Sequence, residues 1–106
     1  MNSITTIENF NQIISSDKKV IIKFHAGWCP DCRRMDMFID PIVEEYNQYT
    51  WYDINNDELP EIAEKYGVMG IPSILIFQSS EKKGHLHSAN AKSPEQVTEF
   101  LQSQIG

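Results

Sequence analysis

Two cysteines three positions apart lie where an apolar segment meets an amphipathic one, and this junction constrains the fold more than any other feature. Residues 20–25 are largely β-branched and almost continuously apolar, which is typical of a strand buried on both faces. Residues 27–31 have the composition of a turn. Over residues 31–47 apolar side chains recur at helical spacing, and Pro41 among them predicts a kink. The sequence therefore predicts a strand, a turn and a long helix, with the cysteines where the helix starts.

Capping signals indicate the other helices. Thr5 and Glu8 have the spacing of a capping box, so a first helix is predicted to begin at Thr5. Asp57 is a candidate N-cap for a short helix that Gly67 ends. Residues 93–96 combine an N-cap, a first-turn proline and a second capping box, which predicts the start of a last helix.

Three further segments are predicted to be strands: residues 50–54, residues 74–77 and, more weakly, an edge strand over residues 85–89. Helices that alternate with the early strands predict parallel pairing, whereas the last two strands are close enough to form an antiparallel hairpin. The sequence thus predicts an α/β fold: a mixed central β-sheet, with a parallel core plus a C-terminal antiparallel hairpin, flanked by helices on both faces. A length of 106 residues suits one domain, residues 1–106.

Charge and composition exclude several classes of protein. The formal net charge is −6, so phosphate backbones and anionic lipids are repelled, and neither nucleic acid nor a membrane is expected as a partner. The first residues lack the pattern of a secretory signal, and no apolar run approaches the ~20 residues of a membrane span. We expect a cytoplasmic protein. In that reducing compartment a close cysteine pair indicates a redox or metal site rather than a structural bridge.

The position of the cysteines predicts different roles for them. Cys29 lies at the helix N-terminus, where unpaired backbone N–H groups and the helix dipole favour negative charge. Because the thiolate is the reactive form, Cys29 is the predicted attacking thiol. Cys32 lies one turn further on and is expected to be more buried and less acidic. It is placed to attack a mixed disulfide on Cys29 and release the reduced substrate.

A metal site is the alternative for the cysteine pair. Zinc sites usually have four Cys or His ligands. Only His25, His85 and His87 could complete such a set, and His85 and His87 alternate along one predicted strand. A dimer that shares an iron–sulfur cluster is a further alternative.

Three segments together carry a resemblance to a known family. They are WCPDC at residues 28–32, YGVMGIPS at residues 66–73 and QVTEFL at residues 96–101. With these segments the chain resembles the thioredoxin family over nearly its whole length. The resemblance implies a thiol–disulfide oxidoreductase that works as a monomer, holds no cofactor of its own and is recharged by thioredoxin reductase or a similar NADPH-dependent donor. Its implied substrates are disulfide-containing proteins or low-mass disulfides, and its implied role is in cell redox homeostasis.

The resemblance also implies a substrate-binding set. Ile71–Pro72 is expected to be a cis peptide beside the two sulfurs, which leaves backbone groups free to pair with an extended substrate. Trp28 resembles the aromatic residue that flanks the family's active site. Pro30 and Asp31, between the cysteines, complete the set.

Two departures from the family pattern concern substrate range. The usual Gly-Pro between the cysteines is replaced here by Pro30 and Asp31. The carboxylate of Asp31 is expected to oppose thiolate formation and to favour a reducing site. Pro-Asp at this place also resembles a specialised branch with a narrower substrate range. Asn90 stands where a glycine usually lies near the substrate groove, so its side chain is expected to narrow access.

The other departures concern a pair of charges. Lys23 lies where the family usually has a buried acid, and Asp53 lies where it usually has a lysine. We expect Lys23 and Asp53 to pair on adjacent strands, with Asp53 accepting the proton of the resolving cysteine, directly or through water. Alternatively, Lys23 extends to the surface and the pair only balances charge.

The leading functional prediction is therefore a disulfide reductase that acts through Cys29 and Cys32. The alternative is a redox-sensing or metal-binding interaction module that has kept the fold and has little turnover. An oxidase is disfavoured by the absence of a signal pattern and by the acidic residue between the cysteines.

Overall fold

Helices and strands alternate along the chain, and the strands assemble into a single five-stranded sheet in the computed structural model, which describes residues 1–105. The strands are β1 (Asn2–Ile4), β2 (Val20–His25), β3 (Thr50–Asn55), β4 (Ser73–Gln78) and β5 (Glu81–Leu86). The helices are α1 (Ile7–Ile14), α2 (Pro30–Glu45), α3 (Pro60–Lys65) and α4 (Pro94–Ile105), with a 3-10 turn at Ser88–Asn90.

The spatial order of the strands is β1-β3-β2-β4-β5, so β2, which leads into the cysteines, lies at the centre. β1, β3 and β2 are parallel, whereas β4 pairs antiparallel with both β2 and β5. The sheet therefore has a parallel part and a C-terminal antiparallel hairpin, which confirms the predicted fold class.

Each face of the sheet carries its own hydrophobic core. On one face, alternate residues of β2 such as Ile22 and Phe24 pack against α1 and α3. On the other face, Ile21 packs against Met35 and Ile39 of α2 and against α4. Because both faces are covered, β2 is almost continuously apolar, as predicted. Its central position holds the turn that follows it, and so the cysteines, against a rigid support.

The N-terminal residues differ from the prediction in two respects. The cap of α1 is Thr6 rather than Thr5: Thr6 has extended backbone, and its hydroxyl accepts the N–H of Asn9 at 3.1 Å. The residues before it form β1, which the sequence did not predict. A strand of three residues is too short to show alternation, and β1 is defined by its pairing with β3.

The region between β3 and β5 also differs in detail. Leu59, not Asp57, is the N-cap of α3, and no side chain caps that helix. Gly67 does end it, with a φ of 70°. The last strand begins at Glu81 instead of residue 85, because Ser79 and Ser80 both take positive φ and make a tight hairpin turn. Serine seldom has this conformation, so the whole polar stretch of residues 78–84 was expected to be the turn.

The starts of α2 and α4 lie within one residue of the positions that their sequence signals predict. α2 runs continuously from Pro30 through Pro41 to Glu45. At α4 the N–H of Gln96 donates to the Ser93 hydroxyl at 3.2 Å, while the Gln96 side chain accepts the Ser93 N–H at 3.1 Å. This is the predicted capping box. None of the helices within residues 1–105 is both long and apolar enough to cross a membrane.

Candidate active site

Cys29 is the N-cap of α2. Its backbone is extended, and its sulfur accepts the N–H of Cys32 at 3.1 Å. Pro30 follows at the first helical position, where a missing N–H costs nothing and the fixed φ suits the helix. The turn before Cys29 is closed by its N–H, which donates to the carbonyl of Ala26 at 3.3 Å. A backbone donor aimed at the sulfur favours the thiolate when the protein is reduced.

Cys29 and Cys32 form a disulfide, with their Cα atoms 5.2 Å apart. Each residue is only 3% exposed. The expectation that Cys32 is the more buried of the two is therefore wrong in this oxidised state. The reason is that chain segments distant in the sequence cover Cys29 as well, whereas helix position alone suggested that it lies open.

One of those segments contains the cis peptide Ile71–Pro72, which confirms the expected isomer. The carbonyl oxygen of Ile71 lies 3.6 Å from the sulfur of Cys29. Ser73, the next residue and the first of β4, donates its hydroxyl to the carbonyl of Gly70 at 2.6 Å. This hydrogen bond closes the segment into a compact loop against the disulfide.

Trp28 stands beside the disulfide and is 64% exposed, in contrast to the buried cysteine that follows it. Its ring N–H donates to the carboxylate of Asp57 at 2.8 Å. Asp57 is held in turn by its own N–H, which donates to the side-chain oxygen of Asn55 at 2.8 Å. Asp57, expected to cap a helix, thus orients an exposed aromatic ring.

Asp31 makes an ion pair that could not be predicted from the sequence. The Lys92 ammonium lies 2.6 Å from one of its carboxylate oxygens, and the Arg34 guanidinium lies 3.8 Å from the other. The hydrogen bond and charge of Lys92, with a smaller contribution from Arg34, hold the pKa of the Asp31 carboxyl below its usual range. The carboxylate between the cysteines is therefore charged and already neutralised by a neighbour.

Lys23 does not pair with Asp53, which corrects the expectation. Its ammonium, in a residue only 7% exposed, lies 2.6 Å from the carboxylate of Asp36 on α2. Lys23 and Asp53 do occupy opposite positions of the β2–β3 register. The long lysine side chain instead reaches the helix that covers this face of the sheet. Asp36 follows Cys32 by one helical turn, so both residues lie on the same side of α2.

Asp53 has two other partners. Its carboxylate accepts the Ser3 hydroxyl at 2.6 Å, and the His25 ring nitrogen lies 3.4 Å from the same oxygen. Ser3 belongs to β1, the strand that the sequence did not predict, so this arrangement was not predictable either. His25 of β2 and Asp53 of β3 thus form a second polar contact between these strands, separate from the Lys23–Asp36 pair.

The segment 88–92 is the third part of the site. A Cβ atom added to Gly70 would collide with the Ser88 hydroxyl, which shows how closely this segment packs against the Ile71–Pro72 loop. At its other end Lys92 reaches α2. Asn90 is exposed and lines a surface cavity of about 380 Å³ with residues of β5 and α4, among them Leu86 and Phe100. None of the residues at the disulfide lines this cavity.

The histidines are not gathered around the cysteines. His25 contacts Asp53, whereas the rings of His85 and His87 stack on each other with centroids 3.7 Å apart. Burial, followed by the charges of Lys82 and His87, lowers the pKa of His85 to about 4. Across residues 1–105 no group of three or more His, Cys, Asp or Glu side chains could hold a metal ion.

The site as a whole joins a disulfide to a helix N-terminus, a cis-proline loop and an exposed aromatic ring. A cysteine pair in this setting can exchange with a second disulfide, since the N–H of Cys32 donates to the Cys29 sulfur and stabilises its thiolate. Sequence reasoning missed three members of the site. Asp36 could have been found from its spacing to Cys32, whereas Asp57 and Lys92 act through contacts that no local pattern reveals.

In comparisons with known proteins, the chain matches thioredoxins. The family model described as thioredoxin matches residues 2–103. The thioredoxin of Porphyra purpurea is 34% identical over 94 residues, which are 88% of this chain and 88% of that protein. Chloroplastic thioredoxin M4 of Arabidopsis thaliana is 33% identical over 79 residues, which are 74% of this chain but 41% of that protein. The chain thus spans less than half the length of the Arabidopsis relative.

The fold comparison agrees. The crystal structure of thioredoxin from Trypanosoma brucei brucei matches with a TM-score of 0.84 and 25% sequence identity. The match covers 95% of this chain and 87% of that one. The similarity includes the sheet and its flanking helices.

Proposed function

The chain belongs to the thioredoxin family, and on that premise we propose that it is a thiol–disulfide oxidoreductase whose single domain reduces disulfides through Cys29 and Cys32. One observation carries the proposal: the two cysteines form a disulfide at the N-terminus of α2, with the Ile71 carbonyl 3.6 Å from the Cys29 sulfur. A bond in this position is made and broken during turnover rather than serving as a staple.

In the proposed first step the reduced protein attacks its substrate. The Cys29 thiolate attacks one sulfur of the substrate disulfide, a bond forms between the two sulfurs, and the substrate S–S bond breaks. The departing substrate sulfur leaves as a thiolate and takes a proton from solvent. The N–H of Cys32, which donates to the Cys29 sulfur, lowers the free energy of the attacking thiolate.

In the second step Cys32 loses its proton and attacks the Cys29 sulfur of the mixed disulfide. The bond to the substrate breaks, and the second substrate sulfur leaves as a thiolate that is then protonated. The substrate has gained two electrons, and the protein is left with the Cys29–Cys32 disulfide. The short Cα–Cα separation of 5.2 Å suits this closure without backbone movement.

Recharging requires two electrons from outside the chain. We propose an NADPH-dependent reductase of the thioredoxin reductase type as their source, on the strength of family membership. The protein itself needs no bound cofactor for the exchange, because both steps occur between sulfur atoms.

The substrate is proposed to lie across Trp28, Pro30, Asp31 and the Ile71–Pro72 loop. Trp28 is largely exposed although the cysteine that follows it is buried, and a hydrogen bond holds its ring in place. An exposed and fixed aromatic ring is typical of a contact surface. Protein disulfides and low-mass disulfides are both candidate substrates. The side chain of Asn90 would narrow the range of substrates only for a substrate that extends past the 3-10 turn at Ser88–Asn90.

The proton of Cys32 needs an acceptor, and Asp53 stays our predicted one. Its carboxylate is only partly exposed and lies 3.4 Å from the ring of His25, the last residue of the strand that leads into the cysteine-bearing turn. Lys23 cannot orient it as first expected, because that ammonium is held by Asp36. A cytoplasmic location also stays a prediction, and the Arabidopsis relative is chloroplastic.

The test is NADPH-coupled turnover with a thioredoxin reductase, measured in parallel on a protein disulfide and on cystine. Cys29→Ser is the control that removes the attacking thiol. Rapid reduction of both substrates, lost in Cys29→Ser, would support a general reductase. Reduction of cystine alone would support a narrow one.

The proposal would be overturned if neither substrate is reduced and if, when dithiothreitol replaces the reductase, the protein does not accelerate reduction above the rate with dithiothreitol alone. The second arm is needed because an unsuitable reductase alone could prevent turnover. In that event the interaction-module alternative would take its place, and metal analysis of the purified protein would be the next measurement.

A further inference from the structure

Lys92 joins two parts of the site that are 61 positions apart in the sequence. Its ammonium lies 2.6 Å from Asp31, which stands between the two cysteines. The backbone of Lys92 is itself fixed, because its N–H donates to the Gln96 side chain at 2.7 Å. The lysine side chain therefore extends from a backbone position that is fixed next to the start of α4, so less conformational entropy is lost when the ion pair forms.

The segment that carries Lys92 is also held at its other end. Ser88 packs against Gly70, which precedes the Ile71–Pro72 loop, and Ala91 is buried. The segment 88–92 consequently contacts both chain segments that flank the disulfide. Lys92 is placed at the site by the fold, and is not a surface lysine whose position is arbitrary.

We propose that Lys92 is a positioning residue that sets how much of Cys29 is thiolate, by holding and neutralising the carboxylate of Asp31. The proposal rests on the proposed role of Cys29 as the attacking thiol. The sequence alone predicted that Asp31 opposes formation of the Cys29 thiolate. The ion pair weakens that effect, since a paired carboxylate repels the thiolate less than a free one does.

The physical argument concerns net charge near the sulfur. A free carboxylate at residue 31 would repel the Cys29 thiolate and raise the pKa of that thiol. With Lys92 bound at 2.6 Å, the two charges form a compact pair with no net charge, and the repulsion falls. The lowered pKa of Asp31 agrees with this, because it has the same cause: the hydrogen bond and the charge of Lys92 stabilise the carboxylate.

Other charged groups surround the cysteines, and their partners distinguish them from Lys92. Lys23 is paired with Asp36, and His25 with Asp53. The guanidinium of Arg33 donates to the Gly27 carbonyl at 3.0 Å, Asp57 accepts from Trp28, and the Ile71–Pro72 loop has no titratable side chain. Among the described residues, 1–105, only Arg34 shares Asp31 with Lys92, at 3.8 Å. Arg34→Met is therefore the matched control.

The experiment measures the pKa of Cys29 from the pH dependence of its alkylation by iodoacetamide. The reduced protein carries Cys32→Ser, so that only one thiol reacts. The variants are Lys92→Met, Lys92→Arg, Arg34→Met, Asp31→Asn and the double variant Asp31→Asn with Lys92→Met. Circular dichroism verifies that each variant is folded, which the exposure of these side chains favours.

Lys92→Met is expected to raise the pKa of Cys29 by about half a unit, the size of one exposed charge acting over a short distance. Lys92→Arg keeps the positive charge, so the pKa of Cys29 is expected to stay close to its value in the parent protein. Arg34→Met is expected to raise that pKa less than Lys92→Met does. In the Asp31→Asn background, Lys92→Met is expected to have less than half of its original effect. Raising the salt to 1 M should shrink the shift, because screening then acts over about 3 Å.

Two results would overturn the proposal. One is an unchanged Cys29 pKa in Lys92→Met. The other is an equal shift with and without the Asp31 carboxylate, which would mean that Lys92 acts on the sulfur directly. Neither result depends on a reductase or a substrate, so it is separable from a failure of the proposed function in the turnover assay.

Discussion

The ammonium of Lys23 lies 2.6 Å from the carboxylate of Asp36, although the sheet register places Asp53 directly opposite Lys23. The lysine side chain is almost fully buried, whereas the aspartate is more than half exposed. A buried ammonium needs a partner, because its desolvation is otherwise uncompensated. The ion pair between β2 and α2 is therefore a requirement of stability as much as a feature of the site.

Asp36→Asn is expected to lower the free energy of unfolding by about 1–3 kcal/mol, because it leaves the buried ammonium with a neutral partner. Urea unfolding of the oxidised protein measures the change. Asp40→Asn on the exposed side of the same helix is the control and should change stability little. Adding Lys23→Met to Asp36→Asn should recover part of the loss. Equal stability of the two aspartate variants would contradict this expectation.

Asp53→Asn is expected to slow the second chemical step while the fold is kept, since an amide can still accept the Ser3 hydroxyl but cannot take a proton. The measurement is the rate at which a mixed disulfide on Cys29 is resolved at neutral pH. Asp36→Asn is assayed alongside, because Asp36 lies one turn after Cys32. An unchanged rate in Asp53→Asn would remove it as the acceptor, and slowing in Asp36→Asn alone would transfer the role.

Asp57→Ala is expected to free the ring of Trp28, because it deletes the acceptor of the indole N–H. The loss of about 1 kcal/mol of positioning energy predicts a fall in kcat/KM on a protein disulfide of about fivefold. Glu58→Ala, at the neighbouring exposed position, is the control. In a Trp51→Phe background the fluorescence anisotropy of Trp28 should fall. If Asp57→Ala leaves both quantities at the control values, the hydrogen bond does not position the ring.

Stability is expected to fall as the pH drops from about 6.5 to about 4, owing to His85. Its folded-state pKa is below the unfolded value, so the folded protein prefers the neutral ring. The contribution is complete above the unfolded pKa and is lost as the pH passes through the folded one. Its Nε2 atom is buried without a hydrogen-bond partner, which is consistent with a neutral ring.

We expect the His85 contribution to be roughly 1 kcal/mol, since solvent near the partly exposed ring screens it. Urea unfolding at several pH values measures it, and His85→Gln should flatten the dependence in this range. His87→Gln tests the neighbouring exposed ring. A profile for His85→Gln that parallels the parent protein would show that another group is responsible.

Much of the framework could be predicted because its signals are local. β2 follows from a continuous run of apolar residues, and α2 follows from the helical spacing of the apolar side chains after Asp31, although it begins one residue earlier, at Pro30. The cis peptide at Ile71–Pro72 was expected only through the resemblance of its segment, since a proline alone does not reveal its isomer.

The charged contacts of the site could not be predicted, because they depend on side chains that meet across the fold. The strand register does place Lys23 opposite Asp53, as expected. The lysine side chain is long enough, however, to reach α2, where it pairs with Asp36. The pairing of Lys92 with Asp31 requires that the 3-10 turn be packed on the loop at Gly70. The short strand β1 was missed for another reason. Three residues are too few to show periodicity, and the strand is defined by its parallel pairing with β3.

The packing of Gly70 against Ser88 has a consequence for how sequences of this kind can diverge. A Cβ atom at residue 70 and the present position of the Ser88 hydroxyl exclude each other, so a single replacement there requires the serine side chain to turn away. Once Ser88 has become alanine or glycine, the same replacements meet less resistance. The order in which the two positions mutate therefore decides which variants of the rim around the disulfide are accessible to natural or laboratory evolution.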